Sequence, residues 1–159
     1  MRFRHEIRYA APLEDVSAML ADRAFREQVC RAQLAHDTDV RIDRDGASMV
    51  VVVDQRRPSD GIPGFARSIV GDEIRIVQRE QWTDQQHADL SVTIPGKPGA
   101  LVGSVRLAET GGTTVETVEG DLAVRVPLLG TKLEKLIADL LVEALEAEQE
   151  VGARRLGAR

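Results

Sequence analysis

The sequence has few residues that could form a cross-link or bind a metal. Its single cysteine, Cys30, excludes an internal disulfide and a zinc site built from cysteines. The three histidines have neither the i, i+4 spacing nor the neighbouring carboxylates of a known metal site. A calcium loop with Gly46 as its central glycine would need acidic residues where Arg41 and Val52 stand. We therefore expect no metal and no other cofactor.

Aromatic residues and long apolar segments are also scarce. Aromatics make up 3% of the chain, so the core must be aliphatic, and aliphatic side chains fill less volume than rings. No apolar run approaches the ~20 residues that span a bilayer, and the first residues do not resemble a signal peptide. The net charge of −5 disfavours nucleic acid as a partner. These features predict a cytoplasmic monomer or homodimer with no integral membrane association.

Alternating polar and apolar residues predict that most of the chain is β-structure. Its length fits one domain, residues 1–159. Residues 1–9 alternate with period two, which is typical of a half-buried strand, and about six further strands are expected between residues 39 and 126. Turn signals join these strands as hairpins at residues 45–46, 95–99 and 111–112. Hairpin connections make the sheet antiparallel.

Two short helices and one long helix are predicted around these strands. The short helices cover residues 13–21 and 23–34, and residues 62–70 fit either a helical turn or an irregular segment. The long helix runs from Thr131 to Val151, because its apolar residues recur every three to four positions. Thr131 and Glu134 have the spacing of a capping box. At roughly 31 Å, this helix is about as long as a ten-residue strand.

The order of elements, β-αα-β6-α, predicts an α+β fold. A curved antiparallel sheet of about seven strands would wrap around the long C-terminal helix in a helix-grip arrangement. A straight helix contacts a curved sheet along a limited strip, and small aliphatic side chains leave space beside that strip. We therefore expect a cavity between the sheet and the helix. The alternative is that leucine, valine and the two short helices fill it.

Two segments carry a resemblance to a known superfamily. They are Tyr9-Ala10-Ala11-Pro12-Leu13-Glu14-Asp15-Val16, and Val126-Pro127-Leu128-Leu129-Gly130 before a long helix with Leu133-Glu134. In these segments the chain resembles the START-like (helix-grip) superfamily, which includes polyketide cyclase-like and pollen-allergen-like proteins, and it looks most like an actinobacterial branch. The resemblance implies a deep apolar pocket for lipids, polyketides or other hydrophobic molecules. It implies no catalytic motif, because the superfamily shares none.

Candidate pocket residues come from the inward rows of the strands and the apolar stripe of the long helix. Buried polar groups are costly without a partner. Either His5, Gln78 and Glu80 orient a ligand, with His5 or Glu80 as general base, or they are solvated near strand ends or paired with arginines. A register slip would instead turn Arg75, Arg79 and Gln81 inward. The candidates are His5, Tyr9, Gln78, Glu80, Trp82, Leu90, Val92, Leu101, Val105, Leu133, Ile137, Leu140 and Leu141.

Three functions are consistent with these expectations. The favoured one is a soluble binding or carrier protein for a hydrophobic small molecule or lipid held between sheet and helix. The second is a polyketide cyclase- or dehydratase-like enzyme that uses an acid–base group of the pocket. The third is a non-catalytic interaction domain with a filled core. The sequence assigns no catalytic residue.

Overall fold

The chain forms a seven-stranded sheet and four helices in a computed structural model that describes residues 1–157. The strands are β1 Arg2–Tyr9, β2 Asp37–Asp45, β3 Ser48–Pro58, β4 Glu73–Trp82, β5 His87–Thr93, β6 Gly99–Thr110 and β7 Thr113–Val124. The helices are α1 Leu13–Leu20, α2 Arg23–Ala32, α3 Gly64–Val70 and α4 Gly130–Gly157. The predicted α+β helix-grip architecture is confirmed, and residues 62–70 contain the helical alternative, α3.

The sheet has the strand order β1-β7-β6-β5-β4-β3-β2, and every neighbouring pair is antiparallel. The first two strands therefore lie at opposite edges, and α1 and α2 carry the chain from one edge to the other. In the first hairpin Asp45 pairs with Ser48. Gly46, in the turn between them, has a φ of 61°, a conformation that glycine adopts without strain.

A glycine pair lets β6 and β7 approach closely in the middle of the sheet. Gly103 lies opposite Gly120 in an uninterrupted ladder, so Gly120 does not form a bulge between these strands. A Cβ on Gly103 would lie 1.9 Å from the Glu119 carbonyl oxygen, and one on Gly120 would lie 2.4 Å from that of Val102. Only a residue without a side chain fits at either position while the strands keep this geometry.

We expect Gly120→Ala to lower the free energy of unfolding by about 1–3 kcal/mol, because its methyl group meets backbone atoms that cannot move without shifting a strand. Urea denaturation measures the change. Gly61→Ala is the matched control, since nothing lies within 4 Å of a Cβ there. It should change stability by no more than about 0.5 kcal/mol. Equal stabilities for the two variants would contradict the close approach of β6 and β7.

Helix α4 is longer than predicted, because Gly152 does not end it. A Cβ at Gly152 would lie 2.5 Å from Cε1 of Tyr9, whose ring is 1% exposed and packs directly against the helix backbone. This glycine therefore permits close contact between α4 and β1, and the helix continues to Gly157. The prediction that the helix ends at Val151 was wrong.

The predicted capping box at the start of α4 was also wrong. Glu134 accepts a hydrogen bond from the backbone N–H of Val124 at 3.1 Å, and its other oxygen lies 3.6 Å from the amino group of Met1. The carboxylate thus joins the first turn of α4 to the end of β7 and to the start of the chain, instead of turning back to Thr131.

Candidate functional site

A cavity of about 150 Å³ lies between α4 and the sheet. Helix α4 packs most closely on β1, β7 and α2, so the space over the middle strands stays uncovered. The helix stripe beside this space is consequently only half-buried at Ile137 and Leu141 and at the neighbouring positions. The cavity expected from the sequence is present.

Most of the predicted pocket residues line this cavity. Among them, Gln78 and Glu80 face inward as predicted, whereas Arg79 and Gln81 are exposed. The register slip considered above therefore does not occur. The candidates in the wall are Gln78, Glu80, Leu90, Val92, Leu101, Val105, Leu133, Ile137, Leu140 and Leu141.

His5, Tyr9 and Trp82 do not belong to the cavity wall. His5 is half-buried on the edge strand β1, and Tyr9 is covered by Gly152 of α4. Both lie on β1, which packs against α4, and neither lines the cavity. Trp82 is buried, lies beside a separate small pocket near α1, and donates a hydrogen bond to Glu80 at 2.9 Å.

The carboxylate of Glu80 is held in a buried, bidentate ion pair with Arg26. Two 2.8 Å hydrogen bonds join the groups, and Nε of Arg26 donates to the Leu20 carbonyl at 2.8 Å. Gln78 and Trp82 also donate to Glu80. Burial raises the pKa of Glu80, but the charge and hydrogen bonds of Arg26 outweigh it and lower the pKa below its usual value. Glu80 is therefore a poor candidate for a general base.

Sequence analysis did not identify Arg26 as the partner of Glu80. Asp22 caps α2 by accepting a hydrogen bond from the N–H of Ala24 at 3.0 Å. The helix then buries Phe25, Arg26 and Cys30 on one side. The available signal was the position of Arg26, one turn before Cys30 and next to Phe25, on a face that was otherwise apolar.

Besides the Arg26–Glu80 ion pair, two buried carboxyl groups that belong to Glu116 and Glu148 line the cavity. These side chains are 4% and 7% exposed. Burial raises the pKa of Glu116 well above its usual value and that of Glu148 to about 7. The two carboxyl groups also interact through a side-chain hydrogen bond, so a proton is shared between them. The pair has the character of one shared acid.

Both members of this carboxyl pair were missed, although each continues a pattern visible in the sequence. Glu116 has the same parity as Val118 and Leu122 on the inward row of β7. Glu148 lies one turn after Leu145 on the apolar stripe of α4. Extending both rows by one more position would have found them.

A chain of amides joins β3, α2 and α4 at another part of the wall. Gln33 donates to the Ala144 carbonyl at 3.0 Å, and Gln55 donates to the Gln33 side chain at 3.0 Å. Burial lowers the pKa of the nearby Arg57, which donates to the Gln33 carbonyl. The cavity is also bordered by α3 and by the exposed turn at residues 97–98. The wall thus combines buried polar groups with an outer rim.

Two further observations concern metal and membrane. Residues 1–157 contain no group of three or more His, Cys, Asp or Glu side chains that could hold a metal ion. No helix in the described part of the chain is long and apolar enough to cross a membrane.

Comparisons with known proteins identify a family and a fold. A family model described as "Protein of unknown function (DUF2505)" matches residues 4–156. No curated protein matches the chain.

Several solved structures are similar over nearly the whole chain. TTHA0849 from Thermus thermophilus has a TM-score of 0.67 and 19% identity, covering 99% of this chain and 98% of that one. A START superfamily protein from Mycobacterium smegmatis has a TM-score of 0.61 and 14% identity, covering 98% of both chains. The di-domain ARO/CYC StfQ from the steffimycin biosynthetic pathway has a TM-score of 0.63 and 12% identity, covering 98% of this chain and 52% of that one. These similarities confirm the START-like fold.

Proposed function

This chain belongs to the DUF2505 family, and from its cavity we propose that it binds and carries a hydrophobic small molecule or lipid. The occupant would lie between α4 and the middle strands. The observation that carries the proposal is an aliphatic cavity whose α4 side chains are only partly covered by the rest of the described chain.

The half-buried stripe of α4 supports an apolar occupant. Leu136, Ile137 and Leu141 lie in the middle of a helix that is buried toward both ends, at Leu133 and at Val151. Covering apolar surface contributes about 25 cal/mol per Å², so a molecule that displaces water from this stripe gains affinity without a change of fold. Ligand sites are commonly concave and apolar with a few polar groups, as this wall is.

The rim supplies a route for entry. Ile62 precedes α3 and Ile69 lies in its last turn, and both are half-buried. The β5–β6 turn, which also borders the cavity, contains Lys97 and Pro98. Apolar side chains beside an exposed turn would let an aliphatic molecule pass from solvent into the wall of leucine and valine. We infer that the ligand enters here and that its leading end reaches the buried polar groups.

The carrier function is favoured over a cyclase-like enzyme by the state of the two acid–base groups predicted from the sequence. The carboxylate of Glu80 is bound by Arg26 in an ion pair, and His5 does not line the cavity. The name of StfQ associates that protein with a biosynthetic pathway. An enzymatic role here would therefore need another proton-transfer group in contact with a substrate.

Filling the cavity is expected to abolish binding. We expect Val92→Trp to weaken binding of N-phenyl-1-naphthylamine, an uncharged apolar dye, at least about tenfold. The reason is that the indole would fill the part of the cavity beside β5. Val102→Trp is the matched control, because Val102 is 61% exposed and is not part of the wall. Dye fluorescence titration measures both. The proposal fails if the unaltered protein does not bind the dye, or if both variants bind it equally well.

A further inference from the structure

The cavity wall contains buried hydrogen-bond acceptors that lack donors. Gln55 Oε1, Glu116 Oε2 and Glu148 Oε1 are enclosed, and apart from the proton shared by the two carboxyl groups they have no hydrogen-bond partner among the described residues. All three residues line the cavity. A buried acceptor without a donor is costly, so this part of the wall is complete only when something in the cavity donates to it.

The neighbouring donors do not reach these acceptors. The Tyr9 hydroxyl faces the carboxyl pair but forms no hydrogen bond with any described residue. Arg26 gives its hydrogen bonds to Glu80 and to the Leu20 carbonyl, and Trp82 and Gln78 also donate to Glu80. The proton that Glu116 and Glu148 share remains inside the carboxyl pair. The remaining acceptor capacity of the pair is therefore open to a ligand.

The charges around the pair leave one negative charge unbalanced. The groups that face it are Tyr9 on β1, Arg26 on α2 and Glu80 on β4. Arg26 and Glu80 compensate each other in their ion pair. Burial and the two nearby carboxyl groups raise the pKa of Tyr9, so it stays neutral. Once the pair keeps a single shared proton, it carries a charge of −1 with no cation of its own.

We propose that the molecule carried in this cavity is an aliphatic amine, whose protonated head binds between Glu116 and Glu148 and whose chain extends toward the rim. This inference rests on the proposed function, since it names the chemical class of that ligand. An ammonium group supplies hydrogen-bond donors and one positive charge, which suit the open carboxyl acceptors and the unbalanced charge of the pair. A hydroxyl supplies one donor and no charge. A carboxylate head would add a like charge beside the pair.

Three eight-carbon probes with different heads test the assignment. Octylamine, 1-octanol and octanoate are titrated into the full chain at pH 7 and constant salt, and isothermal calorimetry measures their affinities. We expect octylamine to bind at least about tenfold more tightly than octanoate, with octanol between them. Glu148→Gln should weaken octylamine binding about tenfold and change octanol binding less than about twofold. Glu146→Gln, an exposed position on the same helix, should change neither affinity.

The outcomes separate this inference from the proposed function. Octanoate binding as tightly as octylamine, or an unchanged octylamine affinity in both Glu148→Gln and Glu116→Gln, would overturn the amine assignment. Octanol binding in the same experiment would leave the carrier function standing. If none of the three probes binds and none displaces N-phenyl-1-naphthylamine, the carrier function itself fails. Circular dichroism of each variant verifies that the fold is retained.

Discussion

Replacing Arg26 with alanine is expected to lower the free energy of unfolding by about 3–5 kcal/mol, the range typical of removing one partner of a buried ion pair. The reason is that Glu80, at 3% exposure, would keep its charge in a buried site without the two hydrogen bonds from the guanidinium group. The Leu20 carbonyl would also lose its donor. Urea denaturation at pH 7 measures the loss.

A variant on the same helix provides the control for Arg26→Ala. Arg23 pairs with Glu27 at 2.8 Å, but the two side chains are 67% and 38% exposed. Arg23→Ala should therefore change stability by no more than about 1 kcal/mol. In Arg26→Ala combined with Glu80→Gln, part of the loss should be recovered, because no unpaired charge remains. A loss for Arg26→Ala as small as that of Arg23→Ala would show that the pair does not stabilise the fold.

Glu148→Gln is expected to stabilise the protein increasingly as the pH rises. Burial raises the pKa of Glu148 from 4.5 to about 7 in the folded state. Well below pH 4.5 the carboxyl is protonated in both folded and unfolded chains, so it contributes no difference. Between these pH values the unfolded chain releases the proton while the folded chain retains it, and folding becomes less favourable. Above pH 7 the full penalty applies, on the order of 3 kcal/mol.

The measurement compares unfolding free energies of the unaltered protein and Glu148→Gln from about pH 4 to about pH 8. The difference should be smallest at the acidic end and should grow in favour of the variant up to about pH 7. Glu146→Gln serves as the control, because that side chain is not enclosed in the cavity wall. A difference that is constant with pH would contradict the buried carboxyl pair.

Glu80 acts in the opposite direction at low pH, since its lowered pKa means that its stabilising charge is lost on acidification.

Local patterns were sufficient to predict the elements and most of the cavity wall. Side chains alternate along a strand, so the apolar neighbours of Gln78 and Glu80 were enough to orient both residues inward. The same reasoning, applied to a helical period, gave the stripe of α4 and placed Leu140 and Leu141 toward the sheet. The scarcity of aromatic side chains predicted a cavity, because the volume that side chains can fill depends on the amino-acid composition.

The pairings of the polar groups depended on the tertiary structure. Arg26 and Glu80 are 54 positions apart in the chain, and Glu116 and Glu148 lie on different elements, so no local period relates them. The sheet order places β1 beside β7 and under α4, which is why Tyr9 meets Gly152 and not the cavity. Periodicity tells which side of an element is buried, whereas the burial partner depends on the packing of distant elements. The sequence alone therefore determined the fold class and the inward faces, and the three-dimensional packing decided which charges meet.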